Sequence, residues 1–230
     1  MSRKLLVAIP CALALLFGAS STAFAQEDGE IAAVQRKAYV VGHRSEFSLA
    51  LGMPINDAFL RGYGITAGYD YHFNEFHGLH LSGQYRLNSK TGLTQTLEAP
   101  ASQGGFAESV AATGIMALVG ADYTFRPVYG KINFFSEIVA HFDLYLTAGV
   151  AFVVTQSLPS DASGLQPQIA SYPGGSLGLG QRYFLTQELT FRWDLHWTMF
   201  PETVTDPTTS NPITRLRNDV QLMLGISYLL

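Results

Sequence analysis

Apolar and polar or small residues alternate through two neighbouring segments of the chain, between Leu60 and Leu87, which are joined by a short polar turn. Successive side chains of a β-strand point to opposite faces, so the pattern predicts a β-hairpin. One face of its first strand carries Tyr63, Ile65, Ala67, Tyr69, Tyr71 and Phe73, and the other face carries Gly62, Gly64, Thr66, Gly68, Asp70 and His72. Strands of about ten residues with aromatic residues near their ends are typical of transmembrane β-barrels.

The same alternation recurs in six further segments, which we predict as strands at 46–52, 115–126, 142–154, 173–185, 189–199 and 215–230. With the hairpin they make an eight-stranded antiparallel transmembrane β-barrel of up-and-down topology. The predicted turns at Asn74-Glu75 and Thr186-Gln187 are tight, and the stretch from Asn88 to Thr113 is a long loop without periodicity. Short turns and long loops on opposite sides correspond to the periplasmic and outer ends of a bacterial barrel.

The connection after the fourth predicted strand, from Pro127 to His141, is longer than the other periplasmic turns. Glu137 and His141 have helical i, i+4 spacing, yet the segment is equally consistent with an extended strand. The sequence does not decide between a helix and a strand for this segment. We expect this segment to provide a contact surface for a partner.

The N-terminus has the pattern of a secretory signal peptide: Arg3 and Lys4, an apolar run from Leu5 to Phe17, and the small-residue sequence Ala23-Phe24-Ala25. We therefore predict a cleaved signal peptide at 1–25, a periplasmic N-terminal segment at 26–45 and a barrel at 46–230. Cleavage would remove Cys11, the single cysteine, which excludes disulfides and cysteine metal sites from the mature protein. It would also change the formal net charge from −4 to −6, an acidic balance that argues against a nucleic-acid partner.

An eight-stranded barrel has an interior that side chains roughly fill, and an unpaired charge buried there is costly. The inward positions of the predicted strands hold both signs of charge, so we predict a network of ion pairs in the lumen. Its proposed members are Glu46, Asp70, Arg86, Asp122, Arg126, Asp143, Arg182, Arg192, Asp194, Arg217 and Asp219. We expect Arg126 and Asp143 to form one pair at the periplasmic end.

No spacing in the sequence indicates a catalytic centre. His196 is a lumen histidine without a serine and carboxylate at triad spacing. The histidines His43, His72, His77 and His141 fall near the periplasmic rim, where a metal cluster is the alternative to separate interfacial side chains. Trp193 and Trp197 fit a lipid-facing aromatic girdle. The sequence thus predicts no catalytic residue, no cofactor and no metal site.

The order and spacing of several short motifs resemble the myxobacterial-type outer-membrane β-barrel domain family, over most of the mature chain. These motifs are Val34-Gln35, Asn56-Asp57-Ala58-Phe59 before Tyr63-Gly64, Tyr71-His72-Phe73-Asn74-Glu75, and Tyr129-Gly130-Lys131 before His141-Phe142-Asp143-Leu144-Tyr145-Leu146. Some members of the family are outer-membrane components of gliding-motility machinery. The chain end also resembles the assembly signal of outer-membrane barrels at Gly225, Tyr228 and Leu230, but Leu230 stands where an aromatic residue is usual.

From these observations we expect a non-enzymatic outer-membrane protein that acts as a structural or interaction subunit of an envelope complex, in motility or surface assembly. Its expected partners are outer-membrane lipid, other envelope proteins and, during biogenesis, the barrel assembly machinery. Two alternatives belong to different classes. The first is a narrow, porin-like pore or small-ligand transporter, and the second is a lipid-modifying barrel enzyme.

Overall fold

The computed structural model describes residues 38–99, 102, 112–134, 138–158, 166–205 and 212–230. The predicted signal peptide and the part of the N-terminal segment before residue 38 lie outside these residues. The strands are β1 (Ser45–Pro54), β2 (Leu60–His72), β3 (His77–Lys90), β4 (Ala112–Phe134), β5 (Ile138–Leu158), β6 (Ile169–Phe184), β7 (Leu189–Thr205) and β8 (Pro212–Leu229), with one helix, α1 (Gly92–Glu98). Each strand pairs antiparallel with the next, and β8 pairs with β1, which closes the barrel and confirms the predicted fold class.

The wall of the barrel is apolar outside and largely polar inside. Ile65 on β2 is 58% exposed and Val150 on β5 is 66% exposed, whereas Thr66, the neighbour of Ile65, is 8% exposed. A water-soluble domain would bury the apolar residues instead, so the inverted distribution is that of a transmembrane barrel in an outer membrane. Within the described residues, no helix is long and apolar enough to cross a bilayer.

Two tight turns at the end of the barrel where β1 begins and β8 ends are fixed by side-chain acceptors. The Oδ1 atom of Asn74 accepts hydrogen bonds from the backbone N–H groups of Phe76 and His77, both at 2.8 Å. The Oγ1 atom of Thr186 accepts from the N–H of Leu189 at 2.9 Å. Such side-chain acceptors satisfy turn donors that the strand ladder leaves free. We call this end the periplasmic end.

The register of β4 departs from the sequence prediction. Ile115 was expected to face outward, but it is 1% exposed and lies inside the barrel. An irregularity between Ile115 and Ala117 in the pairing with β5 supplies the reason, because one extra residue in a strand reverses the face of every residue beyond it.

The open question about residues 127–141 is resolved in favour of strand. Beyond a register shift between Phe125 and Val128, β4 and β5 continue to pair until Phe134 meets Ile138. The pairing of β3 with β4 ends at Phe125, and β6 begins to pair with β5 at His141. Residues 132–134 and 138–140 therefore form a two-stranded extension past the neighbouring strands, which we call the periplasmic ribbon. Glu137 lies outside the described residues.

The stretch from Asn88 to Thr113 was predicted as a loop throughout, but part of it forms regular secondary structure. β3 continues to Lys90, and α1 follows directly. The side chain of Thr91 caps the helix by accepting from Thr94 N at 3.4 Å, and the hydroxyl of Thr94 donates to the carbonyl of Phe59 at 2.6 Å. Seven residues are too few to show helical periodicity in the sequence, so the capping and the contact with the β1–β2 connection decide this helix.

The depth of a lipid-facing residue should control the cost of placing a charge there. Val150, in the middle of β5, and Leu216, near the outer end of β8, are both 66% exposed. We expect Val150→Arg to lower the free energy of unfolding by about 2–4 kcal/mol, and Leu216→Arg by about 0–1 kcal/mol. Denaturant titration in lipid vesicles measures both values. Equal losses for the two variants would contradict this placement in the bilayer.

Candidate functional site in the barrel lumen

The periplasmic half of the lumen is built around Glu46. Its carboxylate accepts hydrogen bonds from Arg182 Nη1, from the Ser227 hydroxyl and, at 2.8 Å, from His72 Nε2. Arg182 also donates to Asp143 at 2.5 Å, across the β5–β6 pair. Glu46 and Asp143 are each 1% exposed, so the pairing with Arg182 compensates charges that are removed from solvent.

A second group of charges crosses the middle of the lumen. Asp70 accepts from His80 Nδ1 at 2.9 Å and from Arg192 Nη1 at 3.2 Å. Arg192 also donates from Nε to Asp194 at 3.0 Å, and the Tyr145 hydroxyl donates to the same carboxylate. The Arg192 guanidinium lies 5.2 Å from the centre of the Tyr145 ring, a cation–π distance.

The outer half contains a third group. Arg86 donates to both carboxylate oxygens of Asp219 at 2.9 Å, a bidentate geometry, and also contacts Gln84 and Gln221. Above it, Glu202 accepts from Arg217 at 2.9 Å. The alternation in the sequence missed Glu202, because the segment after Pro201 was predicted as loop; β7 in fact continues to Thr205.

An apolar cluster also lies inside the barrel, where a polar lining was expected. Its members Ile115, Leu118, Val153 and Phe200 are each 3% exposed or less, and the ring of Tyr172 stacks on Phe200 with centroids 6.0 Å apart. The bulge in β4 contributes by turning Ile115 inward. The outer half of the lumen is therefore filled by packed apolar side chains as well as by ion pairs.

The structure buries ten of the eleven charged residues that the sequence placed in the lumen. Arg217 is the exception, with a side chain 18% exposed near Glu202 and Asp57. The expected pairing of Arg126 with Asp143 is replaced: Asp143 pairs with Arg182, and Arg126 donates to His72 Nδ1 at 2.6 Å. The shift between Phe125 and Val128 places Tyr129 opposite Asp143, which moves Arg126 out of register.

The rim histidines have separate surroundings. The ring of His77 stacks on Tyr123, that of His141 meets Tyr39, and His72 belongs to the Glu46 group. No three His, Cys, Asp or Glu side chains among the described residues are placed to hold a metal ion. His196 lies beside Thr198, with Nδ1 3.4 Å from the hydroxyl. The Asp122 carboxylate accepts a hydrogen bond from the hydroxyl of Ser176.

Residues 39–42 pack against the periplasmic end of the barrel. Tyr39 stacks on Phe184 with ring centroids 4.7 Å apart, and Val41, which is fully buried, packs with Phe184 and Leu229. The Glu75 carboxylate accepts from the backbone N–H groups of Val41 at 3.0 Å and Gly42 at 2.7 Å. These residues are thus held at the periplasmic end of the barrel by both apolar and polar contacts.

The three residues that resemble an assembly signal lie on or beside the β8–β1 seam. A Cβ atom at Gly225 would stand 2.6 Å from the Leu49 carbonyl oxygen, so the close approach of the strands requires glycine. The Tyr228 hydroxyl donates to Glu188 at 2.9 Å, and the Leu230 carbonyl accepts from Arg44 at 3.0 Å. Recognition by the assembly machinery stays a prediction.

No protein-family model matches this sequence, and no curated protein gives a significant match. Among solved structures, the chain is similar to Neisserial surface protein A, with 11% identity, a TM-score of 0.48, and coverage of 80% of this chain and 95% of that one. The N-terminal β-barrel domain of Pseudomonas aeruginosa OprF shares 13% identity at a TM-score of 0.47, over 82% of this chain and 98% of that one. OprG from the same organism shares 12% identity at a TM-score of 0.47, over 83% of this chain and 99% of that one.

Two arginines in ion pairs allow the lumen network to be tested. The Arg182 side chain is 3% exposed, and that of Arg215, which pairs with Glu202, is 60% exposed. We expect Arg182→Met to cost about 3–5 kcal/mol of unfolding free energy, because it leaves Glu46 and Asp143 buried without their partner. Arg215→Met should cost less than about 1 kcal/mol. Denaturant titration in vesicles distinguishes these outcomes, and a small loss at Arg182 would refute the network.

Proposed function

We propose that this protein is a non-enzymatic structural or interaction subunit of an outer-membrane complex, with a closed lumen and a periplasmic docking element. The observation that carries the proposal is the periplasmic ribbon, which continues past the strands on either side of it. The resemblance of the motifs to the myxobacterial-type barrel family favours a complex for gliding motility or surface assembly.

Four successive groups of packed side chains along the barrel axis support a closed lumen. The first is the packing of Tyr39 and Val41 on Phe184 at the periplasmic end of the barrel. Behind it come the charges around Glu46, then those around Arg192, and then the apolar cluster with Phe200. Substrate passage would require several ion pairs to separate in a low-dielectric interior, and each separation costs several kcal/mol.

The surface of the ribbon fits a role in binding a partner protein. Ile132 and Val139 are 37% and 51% exposed, and both lie beyond the pairing of β3 with β4 and of β6 with β5. Exposed apolar side chains in an aqueous region mark interaction surfaces. The β4 side of the ribbon is also a strand edge, which pairs readily with an extended segment of another chain.

Purification of the tagged protein from its native envelope in mild detergent tests the docking role. We expect stoichiometric envelope proteins to accompany the wild type, and Ile132→Asp to lower their recovery at least tenfold while the barrel stays folded. Leu93→Asp is the matched control, because Leu93 is an apolar residue 52% exposed on α1 at the outer end. Equal recovery from both variants, or a solitary wild-type barrel, would contradict the proposal.

Conductance in a planar bilayer tests the closed lumen independently. We expect the wild-type barrel to show no steady ion current, because the packed side chains leave no continuous aqueous path. The variant Phe200→Ala should stay closed as well, since the ion pairs around Glu46 and Arg192 remain in place. A steady unitary current through the wild type would favour the narrow-pore alternative.

A further inference from the structure

A small cavity lies within the charged group at the periplasmic half of the lumen. Its volume is about 10 Å³, and its lining includes Glu46, Asp70, Thr124, Arg126 and Arg182. A volume of this size corresponds to about one water molecule, on the order of 10–15 Å³ by the same measure. The cavity is therefore too small for an organic ligand.

Several polar atoms on the residues around this cavity have no hydrogen-bond partner among the described residues. They are Nε and Nη2 of Arg126, Nε of Arg182 and Oγ1 of Thr124. The three side chains are 5% exposed or less, so bulk solvent does not reach them. A buried donor that stays unsatisfied costs about 1–3 kcal/mol, and more when it is charged. Four such atoms on three residues of one cavity lining are an unusual concentration.

The charges around the cavity distinguish a neutral occupant from an anion. Arg126, Arg182 and Arg192 supply three positive charges, and the carboxylates that surround them are those of Glu46, Asp70, Asp143 and Asp194. His72 is neutral in this geometry, because its Nδ1 accepts from Arg126 while its Nε2 donates to Glu46. Asp143 and Asp194 do not line the cavity, but they pair with Arg182 and Arg192. Counted with them, four carboxylates face three guanidinium groups, and an additional anion would increase the imbalance.

We infer that the cavity binds one structural water molecule. A water oxygen accepts two hydrogen bonds, so one molecule can satisfy two of the unpartnered N–H bonds of Arg126 and Arg182, and its protons have acceptors in Thr124 Oγ1 and the neighbouring carboxylates. The water then connects Arg126, which has no carboxylate partner within 4.0 Å among the described residues, to the Glu46 group. This site belongs to the lumen itself and does not depend on the docking role proposed above.

A crystal structure of the detergent-solubilised barrel, grown with sodium bromide, tests the assignment directly. We expect one ordered water with hydrogen bonds to Arg126 Nη2 and Thr124 Oγ1, and no anomalous signal at that position. An anomalous bromide peak there would overturn the proposal in favour of an anion site. A cavity without electron density, in which the arginine side chains pair directly with the carboxylates, would overturn the proposal as well.

Oxygen-17 relaxation dispersion gives a second measurement, which needs no crystal. It counts waters held inside a protein for longer than the protein tumbles. We expect the Thr124→Val, Arg126→Met double variant to hold one long-lived water fewer than the wild type. Thr198→Val is the matched control, because Thr198 is also fully buried but does not line the cavity. An unchanged count in the folded double variant would refute the water site.

Discussion

The constraint on which this structure depends is that lipid offers no hydrogen-bond partner to a backbone. Every N–H and C=O group inside the bilayer must pair within the protein, and a sheet satisfies this only if its edges meet. β8 therefore pairs with β1 from Glu46↔Leu229 to Pro54↔Gln221. Gly225 allows the close approach at this seam. The apolar outer face and the polar inner face both follow from closure, since each strand then has one side in lipid and one in the lumen.

Closure creates a narrow interior that must be filled, and this chain fills it in two different ways. Charged groups around Glu46, Arg192 and Arg86 compensate one another where solvent is excluded. Near the outer end, Phe200 and its neighbours pack as an ordinary apolar core. Buried ion pairs contribute little net stability, but a barrel with one partner missing is strongly destabilised. We therefore expect the network to contribute mainly to the specificity of strand register rather than to net stability.

The periplasmic ribbon is the part of the barrel that closure does not require. Its two strands pair with each other beyond the last pairs that the described residues form with β3 and with β6, so the extension adds strand edges and exposed apolar surface to the protein. Proteins usually protect such edges. The edges and apolar side chains of this ribbon fit the docking role that we propose for it.

The sequence by itself determined the number of strands, their order, the tight turns and most of the lumen charges, because each depends on the two-residue period of a strand or on local turn chemistry. Only the tertiary structure decided the partners of those charges. Two irregularities in β4 moved Ile115 into the lumen and placed Tyr129 opposite Asp143, so that Arg126 meets His72 instead. A bulge leaves hardly any trace in the pattern of residues, yet it reverses faces and shifts register, and only pairing with the neighbouring strands fixes where it lies.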